Sequence, residues 1–546
     1  MNYILSFILC AISFGSPMHI PVQLAGNFGE PRPNHFHGGI DVKTERGVNF
    51  GIYSIADGYI ERAIVDKYGF GRAIVVAHPN GYTSVYVHLN RFAPQIQAAV
   101  NQQQYKTKRF AGDFHFRAGE LPVCKGQFIA LSGNTGSSQG PHLHLEMHEK
   151  TTDNLMDPLN WLGGIVHDTT APTAYSFKSY PQRGEGVFQR SADSKIYDFI
   201  KGKYQAWGKV GFGVWAYDHM DSVYNNYGVR YTELYCDGKL VFKSDVNGIP
   251  QKHNRMINSW GDYNHYMSRK IWYLKSFIEP GNRLPILKAS ASRGIINFNQ
   301  KRDYHLRYVF RDYYGNETTK DIVVEGVPQP IPPAEKIEGA NALLTSKDNN
   351  ITLDGVRFNI PHTLLATNYL MNPKHFALGT AYSAGYSFAS GSVPLLDYAK
   401  ISIRVNTLTS DPSKFYMVCK QSIGEPEEAA RYCGGTYNDG WVTGRFRDLG
   451  NIYYVRYDDK APTVHPIGRN VPHLMYKISE RGSGINAYEA YLDGRFVLFE
   501  QGKDKQVIFC DLRKTGIKPT KKQRTLKLFV RDNKQNQCVH VEKFVY

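Results

Sequence analysis

Short runs in which apolar and polar residues alternate recur along the chain, the period-2 signature of half-buried strands. In the first third they fall at 58–66 (GYIERAIVD), 72–78 (RAIVVAH), 82–89 (YTSVYVHL), 127–132 and 142–148. Pro79-Asn80-Gly81 separates two of these runs and predicts a hairpin. The polar stretch 93–108 (APQIQAAVNQQQYKTK) breaks the alternation and predicts a short helix. Strand patterns then continue to the C-terminus, interrupted by turn-rich connectors.

The connectors divide the chain. A first block over 16–166 closes at Asp157-Pro158-Leu159-Asn160-Trp161, and Asp168-Thr169-Thr170-Ala171-Pro172 reads as a linker. A second block covers 171–326, the proline-rich VPQPIPP at 327–333 reads as an extended connector, and a β-rich block follows over 334–456. A last block occupies 460–546. Ala-Pro-Thr opens both 171–326 and 460–546, and each carries a late Arg-Asp, in FRDYYGN (310–316) and VRDNKQN (530–536). That repeat predicts two immunoglobulin-like β-sandwiches. The expected fold is mainly β: an N-terminal antiparallel β-sheet domain followed by immunoglobulin-like β-sandwich domains.

Composition adds compartment and charge. Residues 1–14 (MNYILSFILCAISF) hold an apolar run of signal-peptide length, with Ser13 and Gly15 as small residues for cleavage, so 1–15 is expected to be an export signal. Cys10 also suggests a lipoprotein, but the preceding Leu9 is large for that role. No other stretch is long and apolar enough for a membrane helix, so no span is expected in the mature chain. Of seven cysteines, Cys419 with Cys433 and Cys510 with Cys538 are spaced to bridge neighbouring strands; free buried thiols are the alternative. The net charge of +16 favours anionic partners, but no long Lys/Arg run or nucleic-acid motif accompanies it.

The chemistry concentrates in three pieces of the first block: Asn34-His35-Phe36-His37-Gly38-Gly39-Ile40-Asp41, Tyr86-Val87-His88-Leu89, and Gly140-Pro141-His142-Leu143-His144-Leu145-Glu146. In a strand, His142, His144 and Glu146 share a face opposite Leu143 and Leu145. Adjacent imidazoles need polar partners, and a metal is one. His37 and Asp41 supply a nitrogen and an oxygen across two glycines. With His144 they make a His₂Asp set with an open fourth position, the pattern of a catalytic zinc site. Alternation in 82–89 groups His88 with Ser84 and Tyr86, and His88 and His142 are left for proton transfer beside the metal. No CxxC and no HExxH occurs. Glu146 is expected to orient a ligand or face solvent. Arg32 and Asn34 are weak candidates for substrate contact, His35 for support of the metal set, and His148 has no evident partner.

HxxxD (His37 to Asp41), the His88-Leu89 strand end and HxH (His142 to His144) after Ser132-Gly133-Asn134-Thr135-Gly136 resemble the LytM/lysostaphin-type family of zinc peptidoglycan endopeptidases. The resemblance spans about residues 20–165. It implies a LytM-like peptidase domain, one Zn²⁺ per chain held by His37, Asp41 and His144, and catalytic roles for His88 and His142. It further implies metal-assisted amide hydrolysis in peptidoglycan cross-links or stem peptides by an exported protein of the periplasm or cell surface. The longer stretch between His88 and the Val123-x-Lys125-Gly126-Gln127 turn departs from the family at the groove wall. Two other readings stay open: a non-catalytic relative that regulates a partner, and a wall-binding scaffold acting through its β domains.

Overall fold

The computed structural model describes residues 13–200, 202–379, 381–407, 409–502 and 504–546. The expected export signal lies outside these residues except at its end, where Phe14 packs against His78 and Trp161.

The N-terminal block is built on an antiparallel sheet in the order Leu24–Gly26, Gly39–Lys43, His142–Glu149, Tyr82–Leu89, Arg72–Ala77, Gly58–Val65, Gly112–His115. Ile40, Val42, Ile60, Ile74, Tyr86, Leu143 and Leu145 turn one face of it into the core. The hairpin forms at 78–81, with Gly81 at φ 85°. The helix runs Pro94–Thr107 and buries Ile96, Val100 and Gln104, a stripe at intervals of four residues.

The second block does not stand apart. Asn154–Met156 pairs with His142–Glu149 on one side and with Gly248–Pro250 on the other. Phe28, Phe36 and Leu155 join the hydrophobic cluster of the second block. Its strands form one 11-stranded sheet, carried by the long strands Thr173–Phe188 and Lys203–Met220. Short helices at Ile257–Trp260 and Tyr263–Arg269 bury Trp260, and Trp272 stacks on Tyr266 in the same region.

Further along, two five-stranded sheets enclose Phe358, Phe388, Ile401, Phe415 and Phe446. The last block has two four-stranded antiparallel sheets. His473–Ser479 of one and Gln523–Asp532 of the other both feed the core through Leu474, Tyr476, Leu526 and Leu528, which makes a two-layer sandwich. The six described cysteines, including Cys419, Cys433, Cys510 and Cys538, are free thiols. No helix among the described residues is long and apolar enough to cross a membrane.

Candidate metal centre

Register creates the site. Asp41 lies directly opposite His144 in the sheet, and opposed residues project on the same face. The two glycines of HxxxD are needed for this approach. A Cβ on Gly39 would stand 2.0 Å from the Leu145 carbonyl oxygen, and one on Gly38 would stand 2.5 Å from Glu146 Oε1. With the strands so close, His37 folds over the edge and its Nε2 lies 3.0 Å from Asp41 Oδ1 and 2.9 Å from His144 Nδ1. The Asp41 Oδ1 to His144 Nδ1 distance is 2.7 Å. All three residues are buried.

The outward atoms decide what the inward ones can do. His37 Nδ1 donates to the Asn27 carbonyl at 2.6 Å, and His144 Nε2 donates to Glu146 Oε1 at 2.9 Å. A neutral imidazole has one N–H, so the inward nitrogens of both rings are lone pairs. With both rings neutral, two nitrogen lone pairs and a carboxylate oxygen converge, an arrangement that calls for a proton or a cation at the centre. Hydrogen bonds to Asp41 and Glu146 outweigh the opposing effect of burial on His144 and lift it to about 9. Asp41 is held well below the usual carboxylate range: burial opposes this, but His37, His142 and His144 prevail. The group draws positive charge, and its N₂O donors suit zinc.

Supporting contacts extend outward. Glu146 Oε2 accepts from His148 Nε2 at 2.7 Å, and these two histidines hold the Glu146 carboxylate far below its ordinary range against the effect of burial. Arg32 Nη2 donates to Asp41 Oδ2 at 3.0 Å, leaving Oδ1 for the centre. His35 points elsewhere, to the Pro33 carbonyl, and Asn34 is tied to Asn258. The roles of Arg32 and His148 escape sequence reasoning, although His148 continues the face of His142, His144 and Glu146 at the same spacing.

His88 reaches the centre by a route that simple alternation misses. Val85 and Val87 share one small cluster, whereas Leu89 lies in the main core with Tyr86. Strict alternation would have put His88 in that core. Instead the register with Arg72–Ala77 shifts at this point and His88 takes φ 62°. The bulge re-aims the side chain, so its ring lies 4.9 Å from that of His142 and 6.0 Å from that of His144. The grouping of His88 with Ser84 and Tyr86 is thus corrected, while His88 still faces the histidine cluster. Its Nδ1 donates to the Thr135 carbonyl at 2.9 Å. Burial, then the charges of His142 and His144, push its pKa down to about 4. His142 Nδ1 donates to the Gly140 carbonyl at 2.8 Å and its Nε2 lies 3.4 Å from Asp41 Oδ1.

Residues 35–105 match Peptidase family M23, and residues 340–458 match the Zu5-like domain. An uncharacterized metalloprotease of Haemophilus influenzae is 34% identical over 120 residues, 22% of this chain and 19% of that protein. The peptidoglycan DD-endopeptidase ShyB of Vibrio cholerae is 31% identical over 112 residues, 20% of each chain. A zinc-containing peptidase structure from Vibrio cholerae aligns with 26% identity and a TM-score of 0.19, covering 25% of this chain and 37% of that one. The matched stretch thus spans about a fifth of these curated relatives. Residues 35–105 of this chain are thus a Peptidase M23 (LytM-type) domain, with metalloprotease and peptidoglycan DD-endopeptidase homologues.

Proposed function

We propose that this protein is a zinc-dependent endopeptidase that hydrolyses amide bonds in peptidoglycan cross-links or stem peptides, exported to the periplasm or cell surface. The observation that carries the reading is the convergence of His37 Nε2, Asp41 Oδ1 and His144 Nδ1 within 3.0 Å of one another, with His37 and Asp41 inside the stretch that matches Peptidase family M23. These residues would hold one Zn²⁺. Zinc bound there supplies a Lewis acid for the scissile carbonyl and lowers the pKa of water toward about 7.

The chain's own residues handle the protons. Carbonyl groups pin Nδ1 of His88 and of His142, so each neutral ring presents Nε2 as a proton acceptor. His88, kept neutral by burial and its histidine neighbours, takes the proton from the attacking water. The proton that His88 takes is the one it gives to the leaving amine as the C–N bond breaks, and His142, beside Asp41, faces the developing oxyanion. Arg32 and Glu146 keep Asp41 and His144 in place.

The test is zinc content by mass spectrometry together with digestion of defined wall fragments, products being identified by mass. Wild type should hold one zinc and release peptides cut at an amide bond, and His144→Ala should lose both. A wild-type protein that binds zinc but leaves every fragment intact would favour the non-catalytic regulator. One that binds none would remove the metalloenzyme reading.

A further inference from the structure

A second carboxylate cluster lies outside the peptidase centre. Asp168 in the linker, Asp218 near the end of Lys203–Met220 and Asp312 just after Asp303–Arg311 each offer an oxygen, and these lie within 4.8 Å of one another. The residues are 5%, 3% and 1% exposed. Asp312 is served by Asn316, whose backbone N–H reaches Oδ1 at 2.9 Å and whose Nδ2 reaches Oδ2 at 2.6 Å. Asp168 Oδ1 accepts from the Thr170 N–H at 3.0 Å. By contrast, Asp168 Oδ2 and Asp218 Oδ1 are buried and accept from nothing. A bare buried carboxylate oxygen is costly, and three carboxylates in so small a space repel.

Among the described residues no cation acts on Asp218. Beyond burial, the charges acting on Asp218 are those of Asp312 and Asp168, and together they push it up to about 8. Arg230, nearby, is engaged by Asp157 at 2.8 Å and Asp245 at 3.1 Å. Asp168 and Asp218 also border a small cavity with Tyr313 and Tyr314.

The last block provides an internal comparison. There Asn536 serves Asp532 through its backbone N–H at 2.9 Å and Nδ2 at 2.7 Å, and Nδ2 also reaches the Asp458 carbonyl at 2.8 Å. Asn316 reaches the Asp168 carbonyl in the same way, at 3.2 Å. The two frames match, but the carboxylates of the last block are capped by amides. Ser483 and Lys460 N–H groups serve Asp458, and those of Gly482 and Gly484 serve Glu480. In the second block Thr170 takes the place of Lys460, but Asp168 Oδ2 and Asp218 Oδ1 have no such donor.

We infer that Asp168, Asp218 and Asp312 form a binding site for a hard divalent cation of the calcium class, which ties the peptidase domain's linker to the β domain that follows. The donors are oxygens alone, which disfavours zinc. Three buried carboxylates form a protein cage, as calcium accepts, whereas magnesium keeps most of its water.

The experiment uses the full chain stripped with EGTA and titrated with CaCl₂, followed by calorimetric binding and thermal unfolding. Calcium should bind the wild type and raise its Tm, and magnesium at equal concentration should do so less. Asp218→Asn should lose the calcium response while being at least as stable as wild type without calcium, because it removes a repelling charge. His144→Ala should keep the response, which separates this site from the peptidase centre. Terbium luminescence sensitised through Tyr313 and Tyr314 gives a wild-type readout that needs no variant. Absence of calcium binding and of terbium sensitisation in the wild type would overturn the inference. So would an unchanged calcium response in Asp218→Asn, or stabilisation by acid alone with none by calcium, the mark of a carboxylic acid–carboxylate pair.

Discussion

Glu146 shows how much of the candidate centre rests on residues outside the cluster of His37, Asp41 and His144. Its carboxylate takes the His144 Nε2–H on one oxygen and the His148 Nε2–H on the other. Glu146→Gln keeps the shape but replaces one accepting oxygen with an NH₂ group that faces an N–H, so one of the two histidines loses its partner. Zinc affinity, measured by competition with a chelator, is expected to fall about 10- to 100-fold, with folding retained. Equal affinity in both proteins would mean that Asn27, Arg32 and strand register alone orient the donors. His37, Asp41 and His144 are legible in the sequence because side-chain type and spacing already express their chemistry. Arg32 is not, since an arginine nine residues before an aspartate carries no signal until the pairing of Pro31–Arg32 with His35–Phe36 turns the chain and the two side chains meet.

At the scale of strands, close approach and one local defect set the centre. Gly39 pairs with Glu146 where the sheet leaves no room for a side chain. Gly39→Ala must push the strand Gly39–Lys43 away from His142–Glu149 and so separate Asp41 from His144. A loss of about 3 kcal/mol in urea unfolding is expected, with zinc binding weakened in whatever protein folds. Wild-type stability with wild-type zinc affinity would contradict the close approach. The strands themselves, the hairpin at 78–81 and the helix are legible from alternation, turn residues and polar composition. The bulge at His88 is not. Alternation assumes an unbroken pleat, and a non-glycine residue at positive φ is uncommon enough that a sequence pattern does not anticipate it.

Across the whole molecule, the linker read at 168–172 does not isolate the peptidase domain. Backbone pairing joins Asn154–Met156 to Gly248–Pro250, and Asp157 meets Arg230 in a buried ion pair at 2.8 Å. Such joins depend on residues 73 to 96 positions apart, and no local pattern encodes them. Burial raises Asp157 from its ordinary value near 3.8 to about 6 despite the attraction of Arg230. A carboxyl group whose folded pKa exceeds its unfolded one favours the fold when protonated, so its contribution to stability falls as pH rises from about 4 to about 6. Arg230→Leu removes the only charge that eases ionisation of Asp157 among those acting on it, which moves the folded pKa higher and deepens that fall. The variant should therefore lose about 3–5 kcal/mol at neutral pH, where a buried charge is left unpaired. Its deficit should shrink toward pH 4, where Asp157 is protonated in both proteins. Urea unfolding of the two proteins at several pH values measures this. A deficit independent of pH would assign the role of Arg230 to packing and to its contact with Asp245 rather than to Asp157. If the ion pair couples the two domains, the peptidase domain should melt together with its neighbour in wild type and ahead of or behind it in Arg230→Leu.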